Sequence, residues 1–558
     1  MRAHYFGNSQ ANADTIIDNL LHPRGNYIAV DTETVSLTDK TCIGIGIATS
    51  PTDSYYIPVF PQASEILYQV YDLLARRNIV KVYHNANFDL QVLRQFATEN
   101  NLTPPDVWNV HDTNLMANVS ANPPDLETLS YKLLHEGNPL SIDGILEEAR
   151  QVAGKKNVTM LDADPAKVAR KCAYDCEFTF RIFEPLLQQL TTRTAGCYEV
   201  DRRLSSWLRV IELRGLKLNE QRLIERYNAL CMQLEGYEEH ADELGFSISS
   251  PAQVGMWLAN NRVVLPITKS GRQLDTSNEV LEQVKHPMAK EVLEYRGIRK
   301  TLSTYVEPWL DTGRAYTHFR LDLATGRLAS YDRNLQNIPP DLRDCFTPDN
   351  SEFTWADMSQ LEMRVFAYFT QDPVLKDAYA TGKSIHEITF RSIYPNLEFR
   401  KDIHEYTQAK TANFAMIFDA ADETIAAQCK ITPQLAGQWK KAWFNTYQGA
   451  HEWMKQQQST NSTYEETIFG RQMIIPKDRG WAHANKCRIN YPIQGSGADL
   501  NKRALLYMLE HLKGEDIRIQ VHDEVVNDGD IEFPLKDISE MYPGLEVPWE
   551  VFKDKVWL

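Results

Sequence analysis

The chain has 558 residues, with 59 Lys or Arg against 75 Asp or Glu, a net charge of −16 and 43% hydrophobic residues. This composition describes a globular protein of three or four domains. With 8 Cys and no CxxC pair it is not a disulfide scaffold, and no apolar run reaches the ~18 residues of a membrane span, so a cytoplasmic protein without a membrane partner is expected. The acidic balance argues against a basic nucleic-acid module, although binding follows local potential rather than total charge. In chain order, Tyr27–Val30, the alternating Ile43, Ile45 and Ile47, and Tyr55–Phe60 predict three strands. A helix follows around Ser64–Ala75, then a strand over Ile79–Tyr83, a helix over Asn87–Phe96 and a long helical pattern over 164–190. The first ~190 residues thus read as a mixed α/β domain. The run Thr191-Thr192-Arg193-Thr194 marks a junction near 190–198. A helix over 199–213 ends at Gly215, and 220–310 is mostly helical. The remainder mixes strands (Phe353–Ala356, Ile517–Val521) with helices near 357–370, 402–418, 433–458 and 493–513.

Asp31 and Glu33 follow the buried run Tyr27–Val30, and residues i and i+2 of an extended chain point to one side. Two such carboxylates repel unless a divalent cation lies between them. Asp89 follows the strand at Ile79–Tyr83, and Asp175 lies in a helical stretch. Four carboxylates at strand ends and on one helix would make a two-metal hydrolase centre. Together, with Asn85 and Phe88, they resemble the DEDD family of 3′→5′ exonucleases. That resemblance implies an RNase H-like sheet and places its metal ligands on Asp31, Glu33, Asp89 and Asp175. The tyrosine subtype of that family has a Tyr four residues before the last Asp, where this chain has Lys171; Tyr174 is adjacent to Asp175 and about 100° round the helix.

A second group of signals lies in the C-terminal half. Trp355-Ala356-Asp357-Met358-Ser359-Gln360-Leu361-Glu362 is a strand ending in Asp and running into a helix. Ile519–Val526 reads as two short strands around a turn carrying His522, Asp523 and Glu524. Between them, Tyr406, Lys410, Phe414 and Phe418 share a helix face on which a Lys can hold a triphosphate beside a stacking ring. These three blocks resemble motifs A, B and C of family A DNA polymerases, the DNA polymerase I group. Thr325–Ser330, Asn334–Pro339, Gly470-Arg471 and Asn490–Gly495 resemble further blocks of that family in the right order, and Ser249–Val254 and Leu302–Tyr305 its thumb.

The resemblance implies a right hand of palm, fingers and thumb: an exonuclease domain over 1–194, then a polymerase domain over 195–558, with the thumb about 220–310, the fingers about 366–486 and the palm the remainder. Asp357 and Asp523 would hold two Mg²⁺, with Mn²⁺ as a substitute, and Glu524 would lie beside them; the exonuclease centre would likewise hold two ions. Gln360, Glu362, His386, Lys410, Phe414 and Phe418 would meet the incoming dNTP, with Glu362 crowding the sugar C2′. Arg327, Asn334, Gln336, Asn490, Gln494 and His522 would meet the primer–template DNA. The chain departs from the family pattern at Tyr406 (usually Arg), Phe418-Asp419 (usually Tyr-Gly), Lys486 (usually Arg) and Met358 (usually Tyr). The expectation is a monomeric DNA polymerase with proofreading, of phage type, in the cytoplasm of a host cell, its processivity partner unidentified. The alternative is a nuclease carrying a catalytically dead polymerase-like DNA platform, which would need a lost carboxylate, yet Asp357 and Asp523 are both present.

Overall fold

The structure, a computed structural model, describes residues 2–5, 26–59, 65–512, 516–539, 541–542 and 544–557. Phe60, Ser64 and Lys513, the ends of three predicted elements, lie outside the described residues. The N-terminal part is a six-stranded sheet of β1 (Arg2–Tyr5), β2 (Tyr27–Thr34), β3 (Cys42–Ala48), β4 (Asp53–Pro58), β5 (Val80–Tyr83) and β6 (Val110–Asp112), in the order β1-β4-β3-β2-β5-β6. β2–β3–β4 is an antiparallel meander; β1, β5 and β6 pair in parallel. The period-two alternation decides what each face meets. Ile28 and Val30 pack with Leu67 of α1 (Glu65–Ala75) and with Leu90 and Leu93 of α2 (Ala86–Glu99). Ala29 turns the other way, toward Cys176 and Phe180 of α3 (Pro165–Gln189). Asp31 and Glu33 share the parity of Ala29. This part also contains the helices Thr113–Val119, Leu126–Leu134 and Ile142–Ala153, which the sequence reading did not pick out.

The expected junction at 194/195 falls inside a helix. α4 runs unbroken over Thr192–Arg214, so the Thr-rich run is a helix start: the Thr191 hydroxyl accepts from the Thr194 amide at 3.2 Å. Only Leu190 and Thr191 separate α3 from α4. α4 then touches both halves of the molecule. Its Tyr198 hydroxyl bonds His111 Nδ1 at 2.9 Å, and its Asp201 is sunk into an ion cluster with Arg471 (2.8 Å) and Lys502 (2.8 Å). Arg471 also pairs with Asp499 at 2.7 Å and donates to Asn118 in the N-terminal half at 3.3 Å.

Two long helices, α5 (Glu220–Glu243) and α6 (Pro287–Thr301), run antiparallel, joined by Tyr237–Glu294 (2.7 Å), His240–Glu291 (2.7 Å) and Tyr295–Glu238 (2.8 Å). The second sheet is fully antiparallel. Its strands are β7 (Phe353–Met358), β8 (Ile517–Val521), β9 (Glu524–Asp528) and β10 (Trp549–Asp554), in the order β8-β9-β7-β10. α7 (Leu361–Thr370) leaves the end of β7 and lies on α10 (Trp481–His511), where Gly497 admits the Leu361 side chain. α8 (Ile385–Ile393) and α9 (His404–Ile417) form a separate layer, tied to the helix Pro433–Thr446 by Asn413, whose Oδ1 accepts from both Thr389 and Trp443. The expected helix over 433–458 is two helices, Pro433–Thr446 and Gln448–Ser459, broken at Tyr447. The expected helix start at 493 lies mid-helix, because α10 carries Pro492 in its interior.

Candidate functional site

The first carboxylate cluster lies between β2 and α3. Asp31 and Glu33 are within β2 rather than after it, and Asp89 is in the first turn of α2 rather than at a strand end. Asp89 Oδ1 accepts from the Thr32 amide at 2.9 Å and the Thr32 hydroxyl at 2.7 Å, which fastens α2 to β2. From α3, the Cys172 thiol lies 3.4 Å from Asp31 Oδ2, and Asp175 takes a hydrogen bond from Asn138 at 2.8 Å. Asp31, Glu33 and Cys172 offer ligand atoms that all lie within 4.8 Å of one another. Burial, and then the charge of Asp89, push the Asp31 carboxyl well above the usual carboxylate range. Burial lifts Asp89 to about 7 against its Thr32 bonds, and raises Glu33 against the opposing pull of Lys171. Carboxylates raised in this way by burial and by one another could hold a cation. The oxygens of Asp31 and Glu33 fit one divalent ion. The space between Glu33 and Asp175 is taken by the Lys171 ammonium, at 3.0 Å from Glu33 Oε1 and 2.7 Å from Asp175 Oδ2.

The second cluster is built by sheet register. β7 lies between β9 and β10, so Asp357 stands opposite Glu524 on one side and Glu550 on the other. The β8–β9 turn is only His522-Asp523, with His522 at φ 52, and the Met358 amide donates to the Asp523 carbonyl at 3.1 Å. This brings together two aspartates 166 residues apart in the chain. Asn501 of α10 holds the turn through the His522 carbonyl at 2.7 Å. Burial, then Glu362 and Asp357, raise Asp523 to about 7; burial and Glu550 raise Asp357. The chemistry of the donor set, the Asp357 and Asp523 carboxylates with Glu362 acting on Asp523, suits divalent cations. Glu524 accepts from the Trp557 indole at 2.5 Å and faces Arg343 at 3.8 Å. Glu550, Asn501, Arg343 and Trp557 escaped the sequence reading. Glu550 follows from sheet register, and the others lie outside any local motif.

A cavity of about 230 Å³ opens beside Asp523 and is lined by Arg327, Glu362, Gln494, Asn501 and His522, among others. Arg327 Nη2 donates to Glu362 Oε1 across it. Asn490 is on α10 one turn before Gln494, and its Oδ1 is buried without a partner. Two of the expected DNA contacts, Gln336 and Asn334, also make bonds within the protein. Gln336 is 9% exposed, and its amide accepts from the Ser330 amide at 2.8 Å and donates to Gln520 at 3.0 Å; Asn334 Oδ1 accepts from the Ser330 hydroxyl at 2.7 Å. Both hold their own loop. Gln360 begins α7 in the left-handed region at φ 55.

The expected nucleotide face is on α8 and α9. Lys410 is exposed, and the Phe414 ring packs 5.5 Å from the His386 ring. His386 is buried; burial, with Lys410 adding to it, lowers it to about 4 and so makes it neutral. Phe418 caps α9 rather than continuing its face. Tyr406 is set edge-on against Phe399 at 5.6 Å. Among the described residues, no hydrogen bond or ion pair joins this face to Asp357 or Asp523.

Comparison with known proteins gives two family matches, DNA polymerase family A over residues 218–541 and 3′-5′ exonuclease over 8–191. DNA polymerase I of Geobacillus stearothermophilus is 31% identical over 393 residues, which is 64% of this chain and 44% of that one. DNA polymerase I of Chloroflexus aurantiacus is 29% identical over 576 residues, 94% of this chain and 60% of that one. The chain thus spans about half the length of the curated relatives it matches. The POL domain of Pol1 from M. smegmatis, solved with DNA primer-template and dNTP, superposes with a TM-score of 0.74 at 20% identity, covering 99% of each chain. The expected α/β multidomain architecture is therefore the observed one.

Proposed function

This chain belongs to DNA polymerase family A, and we propose that it extends a primer on a DNA template with dNTPs and shortens mispaired 3′ ends by hydrolysis. The observation that carries the first activity is the pairing of Asp357 and Asp523 by the Met358 amide at the mouth of a cavity lined by Arg327 and Glu362. In this reading Asp357 and Asp523 hold two Mg²⁺ or Mn²⁺, which when bound supply Lewis acidity to the primer hydroxyl and the leaving diphosphate. Glu362 and the α7 backbone limit the room at the sugar. Arg327, Asn490 and Gln494 face acceptors that all four base pairs share in the minor groove, which checks fit without choosing sequence. Lys410 carries the positive charge of the nucleotide face. Asp31, Glu33, Asp89 and Asp175 form the hydrolytic centre.

We place the junction between the two parts at Leu190–Thr191, with thumb about 220–310, fingers about 366–486 and palm the remainder. The protein works as a monomer on primer–template DNA. Replication of a phage genome in the host cytoplasm is the proposed setting, and it rests on the resemblance alone. The test is a primer-extension assay with Mg²⁺ and dNTPs on wild type and on two variants. Asp31→Ala with Glu33→Ala should stop shortening of a single-stranded primer and spare extension, and Asp523→Ala should do the reverse. Shortening without extension in the wild type would return the nuclease with a dead platform.

A further inference from the structure

The hydrolytic centre carries a cation of its own. The side chain of Lys171 is 12% exposed, and its ammonium lies between two carboxylates at 2.7 and 3.0 Å, each of which is also largely buried. Lys171 and Asp175 are one turn apart on α3, and Glu33 comes from β2, so the ammonium ties the helix to the strand. One oxygen each of Asp175 and Asp89 is already engaged by another partner. Asp175 Oδ1 is bonded to Asn138, and Asp89 Oδ1 to Thr32. The atoms left to converge on one point are those of Asp31 and Glu33, with the Cys172 sulfur beside them.

A divalent ion shared by Glu33 and Asp175 would need oxygens at roughly 2.1 Å for Mg²⁺ and would have to displace the ammonium. Two divalent ions in addition to the lysine would overcompensate the four carboxylates, whereas one ion leaves the cluster anionic. We propose that the hydrolytic centre is a single-ion site, in which the Lys171 ammonium permanently holds the position between Glu33 and Asp175 and one divalent ion binds at Asp31 and Glu33. Lys171 is then a positioning residue: it keeps Glu33 and Asp175 in place before any ion arrives. The proposal rests on the exonuclease reading and sharpens it.

The test counts ions. The full chain carrying Asp357→Asn and Asp523→Asn, which silences the other centre, is titrated with Mn²⁺ and free ion is followed by electron paramagnetic resonance. The same chain with Asp31→Ala and Glu33→Ala added gives the background to subtract. The expected result is one Mn²⁺ at the hydrolytic centre, rising to two when Lys171→Met is introduced. Two ions bound with comparable affinity in the chain that keeps Lys171 overturn the proposal, and this count needs no lysine variant to fold. An unchanged count in a Lys171→Met protein with a normal melting transition overturns it as well. The exonuclease reading fails separately, if single-stranded primer is still shortened by the Asp31→Ala, Glu33→Ala protein.

Discussion

Arg327 and Glu362 hold each other across the cavity beside Asp523, so in the proposed reading a base pair that claims the guanidinium and a sugar that meets the carboxylate would each part this pair. Glu362→Ala should raise ribonucleotide use relative to deoxyribonucleotide in a direct competition assay, and an unchanged ratio removes Glu362 from sugar selection. In the proposed reading Lys410 gets no charge from its neighbours on the same face: His386 is neutral, and Tyr406 is a phenol packed on Phe399. Lys410→Ala should therefore lower kcat/KM for dNTP at least about a hundredfold, since a lost charged contact to a reacting phosphate costs roughly 3 kcal/mol. Near-normal steady-state kinetics would remove α9 from the nucleotide site. At this scale the sequence is legible where a motif holds the whole contact. Asp357, Asp523 and Lys410 stand in such motifs. Glu550 and Trp557 do not, because they reach the centre through strand register and a chain end that no local pattern marks. The motif carrying Gln336 does not show its amide bonded to Ser330 and Gln520, which only the fold brings beside it.

Elements were read well where one periodicity governs them and badly where tertiary contacts override it. β2, α3 and the β8–β9 hairpin follow the apolar pattern closely. The break at Tyr447 is marked in the sequence only by Gly449, which already lies inside the next helix; the Tyr447 hydroxyl bonds Thr389 at 3.0 Å, and this contact belongs to the neighbouring helix layer. Pro492 should have ended a helix. α10 runs through it, with Pro492 itself buried among its packed neighbours. The spacing of β3 from α3 rests on an absent side chain. A Cβ on Gly46 would meet the Cys176 sulfur at 2.6 Å and the Cys172 sulfur at 2.7 Å. Gly46→Ala should push α3 outward, carrying Lys171 and Asp175 away from β2, at a cost of about 1–3 kcal/mol. Exonuclease activity should fall several-fold while extension stays within about twofold, as read on matched single-stranded and primed substrates. Equal loss of both activities would mean that the strain spreads beyond the N-terminal sheet.

Across the whole molecule, charge is placed rather than spread. Residues 504–558 hold 13 Asp or Glu against 5 Lys or Arg, and this segment includes Asp523. Arg314 and Arg320 are paired with Asp349 and Asp322. The cluster of Arg471, Lys502, Asp201 and Asp499 is almost fully buried and bonds across the seam to Asn118, so breaking it would leave uncompensated charge in the interior. Beside it, α4 crosses the same seam without a break, two residues after α3 ends. There is no slack chain at that joint to swing one centre toward the other. In the proposed reading, a strand end that passes from Asp357–Asp523 to Asp31–Glu33 would cover the gap by fraying, and the nucleic acid itself would keep the editing clock. Primers graded in the melting free energy of their last few base pairs should partition between lengthening and trimming in proportion to that free energy, and a partition indifferent to terminal pairing would mean that the protein, not the duplex, sets the pace.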